Sequence, residues 1–437
     1  VPAKGRLAIC EVQNSIAPGD QKSKPQHVLY DDSGQMAKVS ELFRRAFGKD
    51  IMFDFRGGSK LPIHVGELPR WDGEFDRVGD KYVEAVRAWP RLDEQGDGMK
   101  SYAGMLFETI AAARDIVLVD EPEAFLHPPQ MRQLGKTLAE EVPGQLVVAT
   151  HSSDVLRGFL EGTKGNLRIL RMQREGNRNM VCEAQPDVLK KLWEDPQLRY
   201  SNALEGVFHE QTIVCEDDSD CRLVNAIADH LEVERSEPWA DTAFVPTGGK
   251  HRIPIVGGAL RQVGVPVKAI FDIDFLAEES LVERTVRAFG GNWKELRQAW
   301  ARVDAAVRSG VTAMNIEEIK EGIVELLEAS EESVLPRKDV IDLMKQDKPW
   351  RVVKRFGVDG IPRGDAQADY RSIRDELEAI GIYLVPVGEI ENFCRELGLH
   401  GLRFVAKLLA EKALGDPDLA ELRSFVERVY LGQSSEL

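Results

Sequence analysis

Paired cysteines, long apolar runs and positive charge are all in short supply in this sequence. The five cysteines, Cys10, Cys182, Cys215, Cys221 and Cys394, are odd in number and never spaced C-x-x-C. This excludes a disulfide framework or a zinc ribbon and fits a reduced compartment. No stretch reaches the roughly 18 consecutive apolar residues of a membrane-spanning helix, and no basic-then-apolar signal opens the chain, so a cytoplasmic protein without membrane contact is expected. Lys and Arg number 57 against 73 Asp and Glu, a net charge of −16. A general polyanion binder is thereby excluded, and any nucleic-acid contact needs a local basic surface or a metal that inverts the sign of an acidic one. With 37 glycines and 21 prolines in 437 residues, 43% hydrophobic and 30% charged, the composition is neither disordered, collagen-like nor coiled-coil. What remains is a globular chain about three times the usual domain size, expected to form two or three domains. It begins at Val1 rather than Met, which points to a trimmed or fragmentary N-terminus.

Hydrophobic periodicity predicts an α/β organisation. Helical patterns cover Gln35–Phe47, Ser101–Ala113 and Pro129–Glu141, while Ile116–Val119 reads as a buried strand and Gln145–Ala149 as a second apolar strand. Strand, helix and strand in alternation mark an α/β layer. Further on, 167–184 reads as a hairpin around Glu175-Gly176-Asn177 and 187–208 as a helix. Strands are expected at Thr212–Cys215, Pro266–Asp274 and Ile382–Val387, with charge-rich helices between about 280 and 380.

The first chemical constellation is Asp120-Glu121 directly after Ile116-Val117-Leu118-Val119. Acids placed where a buried strand emerges can hold Mg²⁺ through water and polarise an attacking water. Pro122-Glu123-Ala124-Phe125-Leu126-His127-Pro128 follows, and Thr150-His151-Ser152 ends the next strand. The series resembles the Walker B, D-loop and switch histidine of ABC-type ATPases, in the subgroup reading D-E-P-E-x-x-L-H-P. Gln95-Gly96-Asp97-Gly98-Met99-Lys100-Ser101 resembles a variant of the ABC signature. The resemblance implies ATP as cofactor, with Gly98, Lys100, Ser101, Asp120, Glu121 and His151 as its contacts. Glu121 and His151 would be catalytic. It also implies a homodimer, since the signature's helix N-terminus grips a γ-phosphate held by the other protomer. No G-x-x-x-x-G-K-[ST] loop occurs, and Gly248-Gly249-Lys250 lacks both the spacing and the Ser/Thr. Either that loop preceded Val1 or the ATPase is degenerate; the intact motifs favour the first.

The second constellation is carboxylate-rich. Glu216, Asp217, Asp218 and Asp220 follow the strand ending at Cys215, and Asp272 and Asp274 are two apart at the end of another. Read as an extended segment, i and i+2 place both aspartates on one face. Carboxylates gathered in this way repel unless a divalent cation is present, and oxygen ligands suit Mg²⁺, Mn²⁺ or Ca²⁺ rather than zinc. Glu216, Asp220, Asp272 and Asp274 are the candidate ligands, whereas Asp217 and Asp218 read as solvated loop. The pattern resembles the Toprim fold, a glutamate after the first strand and D-x-D after a later one. It departs at Asp217, where the family more often has glycine.

An ABC-type ATPase followed by a Toprim domain resembles the OLD (overcoming lysogenization defect) nucleases. This implies 1–165 as an ATPase domain lacking its Walker A and incomplete on its N-terminal side, 166–208 as a linker hairpin and helix, and 209–437 as a Toprim domain with a helical insertion at about 280–380. The resemblance adds a further glutamate ligand, Glu389 or Glu391, and an active-site lysine, Lys407 with Lys250 as competitor. Two divalent ions astride a scissile phosphate would activate water and neutralise the leaving 3′-oxygen, with a lysine stabilising transition-state charge. A metal-dependent DNA endonuclease is therefore expected, with an ATP-regulated, non-catalytic clamp or assembly module as the alternative. Arg351, Lys354 and Arg355, beside Trp350, are candidates for tracking the DNA backbone. Resemblance also suggests phage defence or DNA repair, and a helicase partner.

Overall fold

The computed structural model describes residues 1–17, 19–68, 76–112, 114–184, 186–194, 202–233, 235, 238–310, 320, 323–324, 327 and 349–432. Two units emerge, Val1–Arg168 with Leu189–Trp193, and Ile169–Val188 with Glu194–Leu437.

In the first unit, β1 (Gln13–Asn14) pairs antiparallel with β3 (Lys60–Leu61), and β2 (Asp50–Phe53) with β4 (Ile63–Gly66). The expected α/β alternation is present as β5 (Ile116–Asp120), helix Pro128–Glu141, β6 (Gln145–Ala149) and helix Ser153–Thr163. β5 and β6 are parallel, with Asp120 opposite Ala149. Gly135 and Gly158 let the two helices touch backbone to backbone: a methyl on Gly158 would overlap the Arg132 carbonyl. Phe43, Tyr102, Leu106, Phe107, Val117, Val119, Leu134 and Leu138 share one core. The helix predicted over Ser101–Ala113 starts at Asp97 and passes into a π-turn at Phe107–Ala111; Ala113 lies outside the described residues.

In the second unit the hairpin predicted at 167–184 is β7 (Ile169–Glu175) and β8 (Arg178–Ala184). Arg171 ties it down by donating to the carbonyls of Val207, His209 and Gly264. The unit's sheet is parallel, in the order β10 (Thr242–Pro246), β9 (Gln211–Cys215), β11 (Val267–Phe271), β12 (Ile382–Leu384). β10 has no counterpart among the strands predicted from sequence. Its five residues alternate between half-buried and buried, and a proline closes it, so its apolar signal is weak. Cys215, Leu223, Val224, Ile227, Phe404, Phe425 and Val426 share a core that joins β9 to helices Asp218–Glu232, Gly401–Glu411 and Ala420–Leu431. Helices Ile253–Gln262 and Glu279–Ala288 pack on each other through Gly258 and Ala288. Within the predicted helical insertion, Trp293–Ser309, Pro349–Phe356 and Asp365–Ala379 are helical, while 311–319 and 328–348 lie outside the described residues.

Candidate metal centre at the strand-order reversal

The chain passes from β9 outward to β10 and then returns across β9 to β11, so the strand order reverses between β9 and β11. In open parallel sheets the crevice beyond the carboxyl ends at such a reversal is the usual ligand site. Each strand sends a charged residue there. Glu216 follows β9 directly, Lys250 follows β10 by a short turn, Asp272 follows β11 directly, and Glu389 follows β12 after a loop.

Glu216, Asp272 and Asp274 bring carboxylate oxygens within 4.8 Å of one another. Asp274 arrives by a different route from the one its spacing predicts. β11 ends at Phe271, Asp272 immediately precedes a 3-10 turn over Ile273–Ala277, and that turn rather than strand alternation swings Asp274 inward. Glu216 Oε1 and Asp274 Oδ1 are buried and have no hydrogen-bond partner among the described residues. Burial, then the neighbouring Asp274 charge, pushes the Glu216 pKa up, and burial pushes Asp272 well above the ordinary aspartate range. Each pair of unit charges near 5 Å repels by about 3 kcal/mol at an effective dielectric of about 20, so these groups favour a cation between them.

Two lysines answer part of that charge. Lys354 Nζ lies 2.6 Å from Asp272 Oδ2, 3.5 Å from Glu389 Oε2 and 4.0 Å from Asp274 Oδ1. Lys250 Nζ lies 3.3 Å from Asp274 Oδ2 and 3.2 Å from Glu278 Oε1. Burial alone would lower both ammonium pKa values, but the facing carboxylates outweigh it and hold both above the ordinary lysine value. Lys407 is elsewhere, on helix Gly401–Glu411, pairing with Glu411 at 4.0 Å. Thus the structure places Lys250 and Lys354, not Lys407, against the acids. Lys354 was legible only as one cation in a basic stretch, because 82 residues separate it from Asp272 and its helix follows no motif.

The remaining acids divide. Glu389 and Glu391 form a second cluster with His400, their ligand atoms also within 4.8 Å. Glu391 accepts from the Gly401 backbone N–H at 2.8 Å, and His400 was not anticipated as part of any site. Asp220 is a member of a capping box. Its carboxylate accepts from the Asp217 N–H at 3.3 Å, while Asp217 caps Ser219 and Asp220 in return. Burial first, then Asp217, pushes Asp220 up to about 7. Asp217 has φ −138°, a conformation open to any residue, so this turn needs no glycine, and an aspartate caps the helix better.

In the first unit the acids end β5 differently. Asp120 and Glu121 are exposed, and Glu121 is left-handed at φ 46°. Its N–H donates to Ala149 O at 2.9 Å, and its carbonyl accepts from Arg6 Nη2 at 2.8 Å. Glu123 accepts from Thr150 Oγ1 at 2.8 Å and from the His151 N–H at 2.7 Å, joining the acidic loop to the end of β6. Ser101 Oγ donates to Ala124 O at 3.0 Å, and Gly98 lies against the Phe125 carbonyl, so the helix start at Asp97 adjoins the same loop. Lys100 pairs with Asp97 at 2.8 Å, and the His151 side chain is exposed. Arg6, fully buried behind Glu121, is the residue here that sequence reasoning missed; an arginine in the short helix Ala3–Ala8 carries no motif.

Comparison with known proteins gives partial matches. The family "AAA domain, putative AbiEii toxin, Type IV TA system" matches residues 76–157, a segment that holds Gly98, Asp120, Glu121 and His151 but none of the second-unit cluster. The Old nuclease of Escherichia phage P2 is 21% identical over 176 residues, covering 38% of this chain and 29% of that protein. The chain thus matches less than a third of that relative's length. A solved structure from "Structural biochemistry of ATP-driven dimerization and DNA stimulated activation of SMC ATPases" aligns with TM-score 0.27 at 13% identity, over 39% of this chain and 96% of that one. That likeness carries no argument about fold. The first unit therefore contains an ATPase-like segment within a mixed α/β chain, and the chain is similar in part to a nuclease. Among the described residues no helix is long and apolar enough to cross a membrane.

Proposed function

We propose that this chain is a metal-dependent DNA endonuclease of the OLD type, whose cleavage centre is the carboxylate cluster of a Toprim-like second unit, joined to an ABC-type ATPase-like first unit. The observation that carries the reading is the convergence of Glu216, Asp272 and Asp274 at the strand-order reversal, with two of their buried oxygens lacking a hydrogen-bond partner. These three residues suit Mg²⁺, Mn²⁺ or Ca²⁺, and Asp272 with Glu389 suits a second ion of the same kind, Glu391 lying beside Glu389. A bound divalent ion would supply an activated water and charge neutralisation at the leaving oxygen.

The chain's own groups do the rest. Glu216, Asp272 and Asp274 fix where a phosphodiester is held relative to the sheet ends. Lys250, anchored by the Gly249 N–H donating to Glu216 O at 2.9 Å, offers a fixed positive charge to the phosphate. Arg351 and Arg355 are exposed on the helix that carries Lys354, where they can follow a nucleic-acid backbone although the chain is acidic overall. In the first unit, Asp120, Glu121, His151 and the helix start at Gly98–Ser101 are proposed as the part of an ATP site that regulates cleavage between two copies of the chain. No G-x-x-x-x-G-K-[ST] loop is present to cradle the phosphates, so ATP hydrolysis is not part of the proposal. Residues 1–165, 166–208 and 209–437 remain the proposed functional division.

The test follows supercoiled plasmid with Mg²⁺, Mn²⁺ or Ca²⁺, with and without ATP, comparing the chain with an Asp272→Ala, Asp274→Ala double variant. Nicked or linear product that needs metal and is lost in the double variant is expected. Plasmid that is bound yet intact with every metal would sink the nuclease reading and leave a DNA-binding clamp.

A further inference from the structure

Lys354 stands where a cation is built to fit. Its ammonium lies between Asp272, after β11, and Glu389, after β12, at 2.6 and 3.5 Å. Two carboxylates from separate strands facing one positive charge also form the kind of oxygen pair that a divalent ion bridges. Asp272 is shared, because it also belongs to the trio with Glu216 and Asp274.

The backbone around Lys354 is locked to the Glu389 loop. Gly388, at φ 108°, lies so close to the Lys354 carbonyl that a methyl there would overlap it, and Gly357 makes a like approach to the Pro386 carbonyl. Asn392 Nδ2 donates to Lys354 O and to Val387 O, each at 3.0 Å. Because these restraints act on backbone atoms, the ammonium can leave by rotation of its flexible stem while helix Pro349–Phe356 stays docked.

We propose that Lys354 is the resident counter-ion of this site, holding the position between Asp272 and Glu389 and competing with a divalent ion for those carboxylates. The inference rests on the cluster being a metal site, and it makes the two positions unequal. The Glu216, Asp272 and Asp274 trio takes an ion directly. The Asp272 and Glu389 position takes one only after Lys354 swings away, since a divalent ion and an ammonium cannot share one short carboxylate contact without strong repulsion. A phosphodiester offers Lys354 an alternative anion, so substrate arrival would favour filling of the second position.

The experiment measures Mn²⁺ binding to the whole chain without DNA, by the electron paramagnetic resonance of the free ion. Lys354→Met keeps the length of the side chain and removes its charge, and it should tighten the weaker class of Mn²⁺ sites by about tenfold or more. Lys354→Arg keeps a cation and should bind as the wild type does. Lys354→Gln serves if circular dichroism shows that the methionine variant is misfolded. Unchanged or weaker Mn²⁺ binding in a folded neutral variant overturns the counter-ion role. An Asp272→Asn, Asp274→Asn variant separates the two levels of the argument. If it loses Mn²⁺ binding while Lys354→Met fails to tighten it, the metal reading stands and the counter-ion falls; if the wild type and every Lys354 variant bind no Mn²⁺, both fall.

Discussion

At the end of β5, Asp120 and Glu121 are exposed, whereas at the ends of β9 and β11 the carboxylates of Glu216, Asp272 and Asp274 are half-buried and packed together. Water screens the first pair, and the backbone does the positioning: Glu121 is pinned through its N–H by Ala149 and through its carbonyl by Arg6. In the second group burial raises the pKa values of Glu216 and Asp272, and Lys250 and Lys354 are drawn in as partial compensation. Two strand ends with the same residue types thus carry different electrostatic loads. An acid at a strand end becomes a candidate ion site when neighbouring strands, converging at a reversal of strand order, deliver further charges to the same point.

The sharpest way to break this contrast is to neutralise one site at a time. Asp272→Asn with Asp274→Asn should lower metal-dependent plasmid nicking by about a hundredfold or more, the scale seen when groups that set transition-state charge are removed. Glu121→Gln should leave nicking without ATP intact, and any effect should be confined to reactions containing ATP. A double aspartate variant as active as the parent would remove the distinction between the sites.

Burial of the supporting residues comes next. Arg6→Ala should destabilise the first unit by about 2 kcal/mol, because it leaves a cavity where the buried side chain packs and deprives the Glu121 carbonyl of its donor. Gly388→Ala should cost the second unit a comparable amount, of order 2–4 kcal/mol, by forcing the Lys354 helix off its loop. Urea titrations monitored separately for each unit distinguish the two, and equal losses in both units for either variant would contradict this assignment.

A pH dependence should belong to the second unit. Asp220 is raised from the ordinary aspartate value of 3.8 to about 7, so between these limits the folded state holds a proton that the unfolded chain has released. Stability is therefore present below the unfolded value and falls as pH rises toward 7. Asp220→Asn keeps an acceptor for the Asp217 N–H and should flatten that fall, gaining of order 1 kcal/mol at pH 8 as measured by thermal melting at both ends of the range. A parent protein that is more stable at pH 8 than at pH 5, without added metal, would contradict the burial argument. The smallest effect expected is Ser152→Ala, which removes the cap on Val155 N–H at the start of helix Ser153–Thr163 and should cost about 1 kcal/mol.

Much of the fold was readable because its apolar runs are pure. β5 and β6 lie where runs of four consecutive apolar residues predict strands, although Ile116, Leu118 and Val147 are exposed rather than buried, and the helices beside them follow the 3.6-residue period. β10 escaped because its alternation is weak and no motif follows it, yet it carries the turn that delivers Lys250. Glu216, Asp272 and Asp274 were legible by their positions after apolar strands. Lys354 was not legible as part of that group, because a contact closed across helices and loops leaves no spacing rule behind.

By itself the sequence determined the α/β alternation, the strand ends that carry acids, and the chemistry those side chains offer. These follow from local periodicity and residue type, which neighbours along the chain specify. Tertiary structure alone decided which charges meet: that a 3-10 turn, not a strand, presents Asp274, that Asp220 joins Asp217 in a capping box, and that Lys354 faces Asp272 while Lys407 does not. Such meetings depend on the order in which parallel strands lie side by side and on glycines that permit close backbone approach. Both are properties of the packed chain.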